Sequence, residues 1–102
     1  MAAYPQTGTR GTGRHKEAIT RVRLIPGKGN VIINGKSMEQ FLGKRETLHM
    51  ILTQPLDAAG VKERYDVLVS STGGGLVGIA KAARLGIARA LSEISDTNEA
   101  VM

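Results

Sequence analysis

The pattern of apolar residues in this chain predicts an α+β fold, a two-layer α/β sandwich. Two strand-like runs, "EAITRVRLI" and "RYDVLVSS", alternate with a period of two, and one long run from Gly75 to Ile94 repeats with the period of a helix. Strands and helices also interleave along the chain, in the order strand, strand, helices, strand, helix.

Residues 1–13 hold Pro5, Gly8, Gly11 and Gly13 without hydrophobic periodicity, and they read as an extended basic arm ahead of one α/β domain over residues 14–95. In "EAITRVRLI" the residues Ala18, Thr20, Val22 and Leu24 share one face, and Ile19, Arg21, Arg23 and Ile25 share the other. The first face suits a core; the second carries two guanidinium groups. "PGKGN" turns the chain, "VII" is a short buried-type strand, and Asn34-Gly35 ends it, so the two strands read as an antiparallel hairpin.

Ser37 with Gln40 three residues on has the spacing of a capping box, which starts a short helix over "SMEQFL". A second helix fits "KRETLHMILTQ" and stops at Pro55, with "LDAAGVKE" a loop beyond it. "RYDVLVSS" is the next strand. From Gly75 to Ile94, Leu76, Ile79, Ala80, Ala83, Ile87, Ala90, Leu91 and Ile94 fall within an arc of roughly 120°. Lys81, Arg84 and Arg89 lie opposite, and Leu85 is the apolar residue out of place. The small residues Ala80, Ala83, Gly86 and Ala90 allow close approach to a sheet. Residues 96–102 form a short acidic end.

The charge is unevenly placed. Residues 1–50 carry nine Lys or Arg against three acids, a net of +6, whereas residues 51–102 carry five against six, a net of −1. An N-terminal half of this kind faces a polyanion or is a solvated basic surface. The chain has no cysteine, which excludes disulfides, zinc-thiolate sites and a cysteine nucleophile and permits a reducing compartment. No apolar run approaches the roughly 20 residues of a membrane helix, and the first ten residues lack the order of a signal peptide.

Chemistry-bearing patterns are few. Gly35-Lys36-Ser37 ends a Walker-type loop on paper, but the pattern needs glycine where Asn30 stands, and "VII" between them is strand. Gly73, Gly74 and Gly75 precede the long helix, where exposed amides could bind a phosphate; glycine there equally suits a tight strand-to-helix connection. A nucleotide-binding enzyme using this loop is therefore the alternative reading. His15 and His49 have no carboxylate or metal-ligand partner by spacing, and Glu63 and Asp66 read as solvated charges, so no catalytic residue, metal or cofactor is assigned.

The basic residues fit nucleic acid better. Arg14, Lys16, Arg21 and Arg23 run from the arm onto a strand face, and arginine's planar fork suits phosphate. Tyr4, Phe41 and Tyr65 are the only aromatics, and the last two read as core, so no platform for stacking single-stranded bases is present. That leaves backbone-directed recognition of folded RNA.

Three blocks, "GTGRHKEAITRVRLIPGKGNVIINGK", "RETLHMILTQPLDAAG" and "YDVLVSSTGGGLVGIAKAARLGIARAL", resemble in order and spacing the family of the ninth protein of the small ribosomal subunit, bacterial type, over residues 8–92. The resemblance implies a non-catalytic, cytoplasmic ribosomal protein of the subunit head, bound to the 3′ major domain of the ribosomal RNA beside other head proteins. It also implies the sandwich shared with a superfamily of small-molecule kinases, with a left-handed strand-helix-strand crossover. The expected RNA-binding residues are Arg10, Gly11, Gly13, Arg14, His15, Lys16, Arg21, Arg23, Lys28, Lys36, Arg45, Gly73, Gly74, Gly75, Lys81, Arg84 and Arg89. Members of the family continue into a basic tail that reaches transfer RNA. This chain instead has "SEISDTNEAVM" with Glu93, Asp96 and Glu99, so no residue is assigned to a transfer RNA contact. The family's Ser-Gly-Gln after the glycines is Val77, Gly78 and Ile79 here, and Lys81 stands where the family tends to have glycine.

Overall fold

The computed structural model describes the backbone of residues 8–101 and the side chains of residues 8–94. Along the chain lie β1 (Thr9–His15), β2 (Ala18–Pro26), β3 (Val31–Ile33), β4 (Lys36–Ser37), α1 (Met38–Leu42), α2 (Glu46–Ala59), β5 (Tyr65–Thr72) and α3 (Leu76–Val101). The strands form one five-stranded sheet in the order β1-β2-β5-β3-β4. One face of that sheet packs on the helices and the other is open, which gives the expected two-layer α/β sandwich.

The alternation in β2 decides which face is which. Ala18, Thr20, Val22 and Leu24 are buried under the helices, while Arg21 on the other face is exposed. In β5, Val67, Val69 and Ser71 turn inward with them. Leu24, Ile33, Leu42, Leu52, Leu56 and Ile87 are the largest apolar side chains enclosed by the two layers. Each such burial contributes roughly 1.5–3 kcal/mol against exposure, which is what holds a sheet of short strands to its helices. Phe41 and Tyr65 pack against this core from its rim.

The expected hairpin between "EAITRVRLI" and "VII" does not form. β5 inserts between them, pairing antiparallel with β2 and parallel with β3. The parallel pair is bridged by α1 and α2, the strand-helix-strand unit that the resemblance implies. The hairpins are instead β1–β2, across Lys16 and Glu17, and β3–β4, across Asn34 and Gly35. Asn34 and Gly35 both have positive φ, 51° and 82°, as the favoured two-residue hairpin turn requires. Asn34 also extends the sheet with its side chain: Ser71 N–H donates to Asn34 Oδ1 at 2.9 Å, and Asn34 Nδ2 donates to the Ser71 carbonyl at 3.3 Å.

The arm is corrected over its described part. Residues 9–15 are strand β1, in antiparallel register with β2 from Thr9 opposite Leu24 to His15 opposite Ala18. Residues 1–7 lie outside the described residues. Apolar periodicity gives no sign of β1 because its inward positions are Gly11 and Gly13, which α3 covers directly.

Two further expectations change. The second helix continues through Pro55 to Ala59, with Gly60 closing it in the left-handed conformation. Interior proline costs about 3 kcal/mol or more; the buried side chains of Leu48, Leu52, Thr53 and Leu56, on both sides of the proline, hold the helix together. Asp66 is not a solvated charge. It is buried, and its Oδ1 accepts the backbone N–H groups of Lys28 at 3.0 Å, Gly29 at 3.2 Å and Asn30 at 3.0 Å. Burial alone would raise its carboxyl pKa, but the hydrogen bonds from Asn30, Lys28 and Gly29 outweigh it and hold the group below the ordinary carboxylate value. Gly27 leaves room for this: a Cβ there would run into the Asp66 carboxylate. The capping box of α1 forms as expected, with Gln40 N–H donating to Ser37 Oγ and Ser37 N–H to Gln40 Oε1, both at 3.2 Å.

Candidate nucleic-acid interface

Register brings the strand arginines together on the open sheet face. Arg10 of β1 lies opposite Arg23 of β2, and Thr12 lies opposite Arg21. On the far side of β2, Arg21 faces Ser70 and Arg23 faces Leu68 of β5, and Ile32 of β3 lies beside Leu68. The result is a shallow depression of about 710 Å³ whose lining includes Arg10, Arg21 and Arg23, a polar strip of Thr12 and Ser70, and an apolar floor of Ile32 and Leu68. Among its lining residues there is no carboxylate. Guanidinium groups over a low-dielectric floor attract an anion more strongly than the same groups in open water.

A second basic cluster forms at the β1 edge of the sheet, beside the helices. Arg14 and His15 of β1, Gln54 and Pro55 of α2, and Lys81 and Arg84 of α3 line one open pocket of about 340 Å³. Residues that are far apart in the sequence meet here because α3 lies along β1, its most extensive packing partner. Glycine makes that approach possible. A Cβ on Gly13 would collide with the Ala82 carbonyl and lie 2.7 Å from the Gly86 nitrogen, and one on Gly11 would collide with the Gly86 carbonyl. Arg89 is fixed to the same edge, donating from Nη1 to the Thr12 carbonyl at 2.6 Å.

Several expected binding residues have other placements. Gly11 and Gly13 are buried beneath α3, where strand and helix backbones touch, and Gly11 also borders the sheet-face depression. Gly73 and Gly74 have φ of +73° and +70° and lie against Glu17 and Ala18, so close packing on the β1–β2 turn accounts for both. Gly75 is exposed, and its carbonyl accepts the Ile79 N–H at 2.9 Å, opening α3. Lys16 sits exposed in the turn beside this loop, with φ of 55°. Lys28, Lys36 and Arg45 are exposed but line neither cluster.

Sequence reasoning missed Pro55, which a helix ending before it would leave outside the site, and gave Gln54, inside the expected helix, no role. It also missed the meaning of the paired glycines. Gly11 and Gly13, two apart, match Ala82, Gly86 and Ala90, four apart, as one strand face matches one helix face. Among the described residues no group of three or more His, Cys, Asp or Glu could hold a metal ion, and no helix is long and apolar enough to cross a membrane.

Comparison with known proteins gives a consistent result. The family model for ribosomal protein S9/S16 matches residues 13–102. The chain is 48% identical over 88 residues to the small ribosomal subunit protein uS9 of Gloeobacter violaceus, covering 86% of this chain and 66% of that protein. It is 53% identical over 83 residues to the protein of the same name from Anaeromyxobacter sp. strain K, covering 81% and 63%. The chain thus spans just under two thirds of the length of the curated relatives it matches.

Proposed function

Because the chain belongs to the ribosomal protein S9/S16 family, we propose that it is a structural, non-enzymatic constituent of the small ribosomal subunit that binds ribosomal RNA through its open sheet face. The observation that carries this reading is the row of three arginines, Arg10, Arg21 and Arg23, held in register over Ile32 and Leu68 with no helix above them. A rigid strand fixes the spacing at which the arginine side chains leave the backbone, so no backbone ordering is needed when phosphates dock. Lys16 and Lys28, exposed at the two ends of β2, extend the positive charge along that strand. Lys36 and Arg45 add charge at the far edge.

The finer partners follow from the same reading: the 3′ major domain of the RNA and neighbouring head proteins, in cytoplasmic ribosomes. No described residue is assigned to a transfer RNA contact. The nucleotide-binding alternative has no observation in its favour, since Gly73 and Gly74 are accounted for by packing on the β1–β2 turn.

The test is binding to a transcript of the 3′ major domain over a salt series. Replacing Arg21 and Arg23 together by Gln should reduce the slope of log affinity against log salt by roughly 1.4–1.8, from about 0.7–0.9 per phosphate contact. An unchanged slope would refute the sheet face as the interface.

A further inference from the structure

We infer that the corner where β1, α2 and α3 meet is a second phosphate site, which takes a backbone phosphodiester of an RNA segment other than the one on the sheet face; the inference rests on the RNA-binding reading above. Its lining supplies two arginines and a lysine, Arg14, Arg84 and Lys81, with His15 and the Gln54 amide beside them and no carboxylate. Lys81 and Arg84 are three residues apart on α3, so they lie side by side and repel each other. Arg14 adds a third cation from another element. An assembly of like charges converging on one depression is unfavourable in the free protein and is relieved by a bound anion.

The surroundings favour phosphate in particular. Pro55 and the exposed Leu85 give this open pocket an apolar side, which lowers the dielectric next to an ion pair formed there. Gln54 adds amide donors, which a phosphate oxygen accepts. The elements are rigid: Ala82 and Ala83, between the two cations of α3, are fully buried against the sheet layer. Lys81 and Arg84 belong to the helical layer, and Arg14 reaches the corner from the sheet's β1 edge, whereas Arg21 and Arg23 stand on the open face of the sheet. The two depressions share no lining residue, so the chain holds two segments at once, one in each.

The test uses the full chain, the 3′ major domain transcript and the double variant K81Q/R84Q, with unchanged thermal melting as the check on folding. The expected result is a slope reduced by roughly 1.4–1.8, additive in log affinity with the loss from R21Q/R23Q, and restored for position 81 by Lys81→Arg. Amide resonances of Gln54 and Ala88 should shift on adding the transcript to the wild type and to R21Q/R23Q alike. If K81Q/R84Q binds with the wild-type slope while R21Q/R23Q does not, this inference is overturned and the sheet-face reading stands. Failure of the wild type to bind the transcript would remove both. Shifts at Gln54 and Ala88 with inorganic phosphate but not with the transcript would make the corner a free-anion site and overturn the RNA assignment. A variant that binds RNA normally but fails to assemble with head proteins would make it a protein contact, with the same consequence.

Discussion

Replacing Gly13 by Ala adds one methyl group where two backbones already touch. The new Cβ would overlap the Ala82 carbonyl oxygen, and it would lie 2.7 Å from the Gly86 nitrogen and 2.9 Å from the Ala82 carbonyl carbon. Restoring an ordinary separation of about 3.5 Å from the Gly86 nitrogen alone requires β1 and α3 to part by at least about 0.8 Å, and the nearer Ala82 oxygen requires more. Neither side of the contact is a rotatable side chain, so nothing can swing away. Moving α3 opens a gap beneath Ala83 and Ile87, both fully buried, and a gap of about that width forfeits a quarter to a half of each dispersion contact it touches. The cost should reach the upper end of overpacking penalties, about 3 kcal/mol. For a domain of this size that lowers Tm by roughly 12–24 °C. Urea unfolding followed by far-UV circular dichroism measures it. Gly78→Ala is the matched control: its Cβ would meet Ala18 at 3.5 Å and His15 at 3.8 Å, ordinary contacts, inside α3. There the same change should stabilise by about 0.5–1 kcal/mol, by removing glycine from a helix. Gly13→Ala within about 0.5 kcal/mol of wild type, the range of surface substitutions, would refute the account of how α3 is seated.

Other outcomes follow from single contacts. Asp66→Asn keeps an acceptor for the Lys28, Gly29 and Asn30 amides but loses the charge, and should cost about 1–2 kcal/mol in urea unfolding. Because the folded carboxyl is held below its unfolded value, its contribution is complete above the unfolded pKa and is lost as pH falls through the folded one. Acid unfolding of Asp66→Asn should therefore show a shallower fall over that window, and an identical acid limb would count against the role given to Asp66. Asn34→Gly keeps the positive φ but removes the bonds to Ser71, leaving a buried residue's N–H without its acceptor; a loss of about 1–3 kcal/mol is expected, with faster hydrogen exchange at the Ser71 amide. Arg89→Gln frees the Thr12 carbonyl at an exposed edge and should change stability by less than about 1 kcal/mol, readable as a small Tm shift.

What could be read from the sequence depended on where apolar side chains carry the packing. β2, β5 and α3 have a continuous apolar face, and Ser37 with Gln40 has a capping pattern set by local spacing; each appears in the structure. β1 has no apolar inward face, because its contribution to packing is the absence of side chains at Gly11 and Gly13. The place of β5 between β2 and β3 is a long-range pairing that no local pattern encodes. Pro55 signals a helix end locally, and the burial of Leu56 beyond it overrides that signal. In the candidate interface the types of residue were legible: arginines on one strand face, cations on one helix face. The strand face and the helix stripe were legible as separate basic surfaces, but the meeting of Arg14, Gln54 and Pro55 with the helix cations in one corner was not, since it depends on α3 lying along β1 and on α2 passing Pro55.

The glycine contact between β1 and α3 also bears on how charge acts over a distance. Where the two backbones touch, Gly11 and Gly13 of β1 meet Ala82, Gly86 and Ala90 of α3 with no strand side chain between them. Positive charge stands on both sides of that seam, the arginines on the open sheet face and Lys81 and Arg84 on the helical layer. A polyanion that comes within the roughly 8–10 Å that salt leaves unscreened is therefore attracted from either side, and the seam fixes how the two charged surfaces are oriented to each other.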